Sequence, residues 1–329
     1  MADIKSLLKG VQENVSLAQY TTFKIGGPAR YFYIAKTTEE IVNAVKIAKS
    51  KEIPFYILGN GSNVLVSDQG FNGMVIKILN TKYQILNTAI EAGAGVNLNK
   101  LVMVCAEAGL TGLEWAIGIP GTVAGAIVGN AGAFGRSMSE FAESVEIFDT
   151  DALVQRAMSN SGCEFGYRSS IFQPKADQYR VDKERKNYII IKITLRLAKG
   201  DPEKSKRQIR EYLKKRKERH PLGPSAGSVF KNPSIAENQK AFGKLAKKFP
   251  EAEKFRATGK IPAGWLVDEL GLHGRKIGGA MISEKHGNFI LNAGEAKAAD
   301  VITLVSLIKQ KVRVNFGIQL QEEIQYVGF

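Results

Sequence analysis

The sequence predicts an α+β protein built from more than one domain, and three observations predict it. Short apolar strands alternate with helical stripes through the first two-thirds, with much antiparallel pairing. A glycine loop joins one strand to another rather than a strand to a helix, unlike the Rossmann fingerprint. Near Gly200 the composition shifts and a strongly basic helix begins. The 329 residues fit two or three domains with ample chain for a core.

Thr37-Thr38-Glu39-Glu40 reads as a capping box, with Thr37 as N-cap and Glu40 at N3. Ile41, Ala44, Val45 and Ala48 follow at helical spacing. Pro54 opens a strand, Phe55–Leu58, that runs into Gly59-Asn60-Gly61-Ser62-Asn63, and Val64–Val66 leaves as a second strand. This loop reads as a hairpin turn or as a pyrophosphate cradle, and five small polar residues exceed what a turn needs. Met74–Leu79 and Ile85–Ile90 read as strands, and Leu98, Leu101, Val102 and Cys105 as a helical stripe ended by Gly109.

The glycine-dense stretch from Gly118 to Gly135, GIPGTVAGAIVGNAGAFG, organises the chain. Glycine at that density is costly unless the backbone needs positive φ or must approach something closely. Successive backbone N–H groups there suit phosphate oxygens; a packing seam is the other reading. Pro120 and the glycines make a poor helix, which rejects a membrane span over this uncharged run.

Val145–Phe148 and Tyr188–Leu197 read as strands, with Phe165-Gly166-Tyr167-Arg168-Ser169-Ser170 between them. An arginine among aromatics suits a carboxylate or phosphate, or is simply a surface residue. Asp201-Pro202 opens the basic helix, which stops before Pro221. Ser228 then sits among small residues, with Lys231 and Asn232 close by; by itself the segment reads as a turn. Gly264–Leu270 and Ala296–Asn315 read as helices, and Ala280–Ser283 and Phe289–Leu291 as strands. Gly317 stops the last helix. Ile318–Val327 reads as a final strand with Ile318, Leu320, Ile324 and Tyr326 on one face and Glu323 on the other.

A formal net charge of +14 allows nucleic acid, an acidic membrane surface or anionic small molecules as partners. Much of it lies in Lys204–Arg219, where a solvated helix face is the favoured reading for most of these charges, and no nucleic-acid motif accompanies it. The two cysteines have no metal spacing and are expected to be reduced; the three histidines are scattered, so no metal site is expected. No signal-like leader opens the chain, so the expected location is cytoplasmic, without membrane insertion.

In this order the motifs closely resemble the UDP-N-acetylenolpyruvoylglucosamine reductase (MurB) family. The resemblance runs from Tyr20 to Gly328 through LGNGSNVLVSD, GLEWAIGIPGTVAGAIVGNAGAFG, FGYRSSIF, PSAGSVFKNP, AGWLVDELGL and IGGAMISEKHGNFILN. It implies an FAD-binding domain of the vanillyl-alcohol-oxidase (PCMH) type over 1–200, in subdomains of about 1–80 and 81–200. A smaller α+β substrate domain over 201–317 and a final strand over 318–329 complete it.

The implied cofactor is non-covalent FAD, with NADPH as co-substrate and UDP-N-acetylglucosamine enolpyruvate as substrate, in a monomer or weak oligomer. The family's FAD loops map onto Gly59, Asn60, Gly61, Ser62, Asn63, Val64 and Leu65, and onto Ile119, Pro120, Gly121 and Thr122 with Gly125, Gly129, Asn130 and Gly132. Its catalytic residues map onto Arg168, Ser228 (the proton donor) and Glu323. Tyr167, Arg219, Lys231 and Asn232 are the implied nucleotide-sugar contacts. The family's Leu-Glu-x-Glu ending reads Leu320-Gln321-Glu322-Glu323 here, which makes Glu322 a rival to Glu323. His220 stands where many relatives carry glutamine. The short path from Arg168 to Lys192 resembles the subgroup without an inserted tyrosine loop. The alternatives are a sugar or lactone oxidase of the same fold, a nucleic-acid-binding protein and a non-catalytic flavin carrier.

Overall fold

The computed structural model describes residues 4–173 and 188–329, and falls into two units that interleave along the chain. The first takes the segment to Val15, Ala29–Asn60 and Asn72–Arg216; the second takes Ser16–Pro28, Gly61–Phe71 and Lys217–Phe329. The path from Arg168 to Lys192 includes residues 174–187, which lie outside the described residues.

Two large sheets build the first unit, beside two short two-stranded ones. One orders its strands Gln12–Ser16, Pro28–Ala35, Phe71–Ile78 and Phe55–Leu58, the last two parallel. Helix Thr38–Ser50 buries Ile41, Ala44, Val45 and Ala48, the stripe read from the sequence. Thr37 caps it, accepting from the Glu40 N–H at 3.2 Å. The other half of the expected box differs: the Glu40 carboxylate accepts from the Lys36 N–H at 2.6 Å, one residue further out.

The second sheet is antiparallel throughout, in the order Val154–Ser159, Ala142–Asp149, Tyr188–Arg196, Ala89–Gly93 and Tyr83–Leu86. The strand expected over Ile85–Ile90 is two strands, because Asn87 turns the chain at φ 54°. Asparagine tolerates that left-handed conformation better than most residues. Helix Leu98–Glu107 buries its expected stripe, is capped by Asn97 and stops at Gly109. The glycine stretch itself contains a short helix, Val123–Val128.

The basic helix spans Pro202–Arg219. Its inner stripe is Ser205, Ile209, Tyr212 and Arg216, at helical spacing. Ser205 donates to buried Glu114 at 2.5 Å, and Thr111 and the Gly112 N–H also donate to that carboxylate. Burial alone would raise the Glu114 pKa, but these bonds hold it below the usual carboxylate value.

The second unit buries Phe23, Leu65, Phe230, Phe242 and the inner face of helix Ala298–Phe316 in one core. Asp68 accepts from the Ala298 and Ala299 N–H groups at 2.8 and 3.1 Å, satisfying that helix start. Lys276–Ile277, Ala280–Ile282 and Ile290–Asn292 form an antiparallel sheet, and helix Ala263–Asp268 overlaps the expected Gly264–Leu270 but starts one residue earlier and ends two earlier. The final strand is shorter than expected. Only Gln325–Val327 forms a ladder, parallel to Val64–Val66, while the preceding residues make a single bridge at Glu322. Ile318, Leu320 and Ile324 are buried, and Tyr326 is half-buried.

Candidate functional site

In the first unit the start of the first glycine loop, Gly59 and Asn60, meets the second. Strand Phe55–Leu58 delivers Gly59, and a Cβ built on Gly59 would lie 2.9 Å from Thr122 Oγ1. The second loop is pinned from behind: the Leu98 N–H donates to Gly121 O at 3.1 Å, and Asn99 Nδ2 to Ile119 O at 3.0 Å. Gly118 and Gly121 stand at φ 80° and 134°, where a side chain is strained. Thr122 accepts from the Gly125 N–H at 3.1 Å and so opens helix Val123–Val128.

These residues fit the diphosphate of a dinucleotide. Gly59 leaves no room for a side chain against Thr122, and the Asn60 N–H donates to no acceptor among the described residues. Backbone donors without protein acceptors, beside glycines that admit close approach, are what a phosphate oxygen needs. Lys77 lies behind Gly59 and Asn60 and donates to the oxygens of both.

The glycine stretch also fixes the Tyr167-Arg168 turn. Asn130 is buried at φ 40°; its Nδ2 donates to Gly166 O at 2.8 Å and its Oδ1 accepts from the Ser139 N–H at 3.0 Å. Ser170 donates to Val128 O at 2.7 Å, and Arg168 Nη2 donates to Gly132 O at 2.6 Å. A Cβ on Gly132 would lie 2.9 Å from Arg168 Nη1. Arg168 itself is left-handed at φ 52°, closed in by reciprocal backbone bonds between Gly166 and Ser169. Its guanidinium lies 5.4 Å from the Tyr167 ring centroid.

Two residues absent from the sequence reading belong to this region. Lys77 is one. The other is Arg216, whose Nε has no hydrogen-bond partner among the described residues. It packs on Gly118 and lies 5.2 Å from the Phe134 ring centroid. Burial, and then the Arg168 charge, push its pKa down to about 10. A half-buried guanidinium without an acidic partner among the described residues, beside a second arginine, is an environment prepared for an anion.

In the second unit, Ser228 and Glu323 are tied into one small network. Ser228 bridges Phe289, and the Glu323 N–H donates to Val229 O at 2.7 Å. Asn288 locks the segment, accepting from the Phe230 N–H and donating to Phe230 O, both at 2.9 Å. Asn63 reaches the same place. Its Nδ2 donates to Glu323 O at 3.0 Å, and its carbonyl accepts from the Gln325 N–H at 2.9 Å. Glu322 points elsewhere, into an ion pair with Lys309 at 2.8 Å.

Among the expected nucleotide-sugar contacts, Asn232 uses its Oδ1 to accept from the Ala263 N–H at 2.9 Å, which starts helix Ala263–Asp268. Arg219 is exposed and Lys231 half-buried. His220 packs on the rings of Phe289 and His286, at 5.3 and 6.2 Å between centroids. Burial lowers the His286 pKa. Both cysteines are buried, which pushes the Cys105 thiol up to about 12 and Cys163 to about 11. Among the described residues no group of His, Cys, Asp and Glu could hold a metal ion, and no helix is long and apolar enough to cross a membrane.

Comparison with known proteins covers both units. Residues 29–157 match an FAD binding domain, and residues 217–327 match the UDP-N-acetylenolpyruvoylglucosamine reductase C-terminal domain. The chain is 37% identical over 317 residues to a protein of that name from Caldanaerobacter subterraneus subsp. tengcongensis, covering 96% of this chain and 93% of the relative. It is 36% identical to the one from Solibacter usitatus, covering 97% of each. The crystal structure of the Thermus caldophilus enzyme superposes with a TM-score of 0.73 at 33% identity, over 96% of this chain and 98% of that one.

Proposed function

The chain belongs to the UDP-N-acetylenolpyruvoylglucosamine reductase family, and from that premise we propose that it reduces UDP-N-acetylglucosamine enolpyruvate to UDP-N-acetylmuramate with NADPH. The family makes it an oxidoreductase, and its first half carries the FAD-binding domain. The product is a precursor of peptidoglycan, and the FAD is held without a covalent bond. The observation that carries the reading is full-length similarity to the reductases, through the FAD-binding match and the C-terminal domain match together.

FAD, when bound, would supply the hydride chemistry between NADPH and the terminal alkene carbon of the substrate. Gly59–Asn63 and Ile119–Thr122, with the glycines that follow, would hold its diphosphate, with the Asn60 N–H among the donors open to it. Hydride arrival leaves negative charge on the adjacent carbon and its carboxylate, which needs donors aimed there beforehand. Arg168 meets that charge with its planar fork, and Asn130 and Gly132 hold the arginine's turn in place. Protonated Glu323 is the second donor. Ser228 gives its proton to the carbon that bears the carboxylate; a weak acid serves because that carbon is strongly basic. The ion pair of Glu322 with Lys309 supports Glu323 over its neighbour in the acid role. Tyr167, Arg219, Lys231 and Asn232 contact the nucleotide-sugar.

Anaerobic titration tests the whole reading. NADPH should bleach the flavin, and the enolpyruvyl substrate should restore its colour while gaining two hydrogens. A flavin bleached by a sugar or lactone and indifferent to NADPH would make the protein an oxidase of the same fold.

A further inference from the structure

We propose that Lys77 is a positioning residue of the cofactor cradle, holding the first glycine loop in shape and supplying the positive charge that its backbone donors lack, for the diphosphate of FAD. The proposal rests on the FAD reading above.

Lys77 stands on strand Phe71–Ile78, in register with Leu58, the last residue before the loop. From there its ammonium donates to Gly59 O and, at 3.4 Å, to Asn60 Oδ1. Both acceptors are neutral, and Lys77 has no acidic partner among the described residues. The side chain is half-buried and burial depresses its pKa, so its charge is held at a cost. A methionine would fill the same space without that cost. The arrangement makes physical sense if an anion completes it.

The geometry shows where the anion would lie. Lys77 draws the acceptor oxygens of Gly59 and Asn60 toward itself, and the Asn60 N–H is left with no acceptor among the described residues. Gly59 in turn abuts Thr122 of the second glycine loop. One ammonium therefore sits behind the point where the start of the first glycine loop, with its open Asn60 N–H, meets the second. A dinucleotide's diphosphate is the part of FAD that carries negative charge; its isoalloxazine ring and ribityl chain do not. Lys77 should distinguish flavins by whether they have phosphates.

Full-length protein stripped of flavin provides the test. Dissociation constants for FAD, ADP and riboflavin are measured at low and high salt for wild type, Lys77→Met and Lys77→Arg. Lys77→Met should weaken FAD and ADP by about 10–100-fold, the range of a charge-assisted hydrogen bond. It should change riboflavin by less than about twofold and flatten the salt dependence of FAD binding, since one fewer cation is engaged. Lys77→Arg should recover most of the FAD affinity. If Lys77→Met weakens riboflavin as much as FAD with an unchanged salt dependence, the lysine only packs the loop and the proposal fails. An unchanged FAD affinity also overturns it. Wild-type protein that binds neither FAD nor riboflavin removes the cofactor reading itself, and the proposal with it.

Discussion

Replacing Asn130 should loosen the Arg168 turn, and two substitutions separate the reasons. The Asn130 side chain closes two hydrogen bonds, to Gly166 O at 2.8 Å and from the Ser139 N–H at 3.0 Å, and is 5% exposed. Its loss leaves the half-buried Ser139 N–H unpaired and Gly166 O with the Ser169 N–H alone, about 0.5–1.5 kcal/mol for each bond removed. The backbone stands at φ 40°, which costs an ordinary L residue roughly 1–2 kcal/mol and glycine almost nothing. Asn130→Gly should therefore destabilise by about 1–3 kcal/mol and Asn130→Ala by about 2–5. Urea unfolding of flavin-free protein gives both numbers. The flavin-loaded variants should also lose turnover, because Gly166 is the hinge of the turn that carries Arg168. The reasoning is refuted if Asn130→Ala is no worse than Asn130→Gly, or if both leave stability and turnover unchanged.

Ser228→Ala should leave flavin bleaching by NADPH near its normal rate and slow reoxidation by the enolpyruvyl substrate roughly 10²–10⁴-fold, as loss of a positioned proton donor does; stopped-flow absorbance on the two half-reactions separates them, and equal slowing of both would make the serine a turn residue. Glu323→Gln should abolish most turnover in steady-state assays, whereas Glu322→Gln should cost only the Lys309 pair, about 1 kcal/mol in a denaturation curve; the reverse order would shift the catalytic register by one residue. His286 has its pKa lowered by burial, so the unfolded chain binds the proton more tightly. Its contribution to stability is complete above about pH 6.5, the unfolded value, and is lost as pH falls through the folded value. His286→Asn keeps an acceptor for the Asn288 N–H, and its melting temperature should fall less than that of wild type between pH 7.5 and 5.

What was legible in the sequence had a local cause. Glycines crowd between Gly118 and Gly135 because the backbone there takes positive φ and because Arg168, Thr122 and Arg216 press against it, and crowding of that kind is visible in one dimension. The stripes of Thr38–Ser50 and Leu98–Glu107 were visible for the same reason. Asn87 was not, because a lone asparagine in an apolar run gives a weak turn signal without a following glycine. The last strand was overextended, because the alternation that buries Ile318 and Leu320 follows from their packing in the core, with no sheet ladder under them.

Lys77 and Arg216 were hidden by an assumption about faces. Strand alternation sets Lys77 opposite Met74, Ile76 and Ile78, where a lysine reads as solvated. Yet Val75, on that same opposite face, is fully buried, so the strand is covered on both sides and its polar position meets protein. Arg216 falls on the stripe of Ser205, Ile209 and Tyr212, and the periodicity was there to read. In a helix with so many basic residues, a count of charge conceals the one cation turned inward. A basic residue at a core-facing position is informative because burial without an acidic partner is expensive, and such a position marks where an anion is expected before any ligand is seen. Composition reports the surplus of positive charge, but periodicity and burial identify the part of it available to a cofactor or substrate.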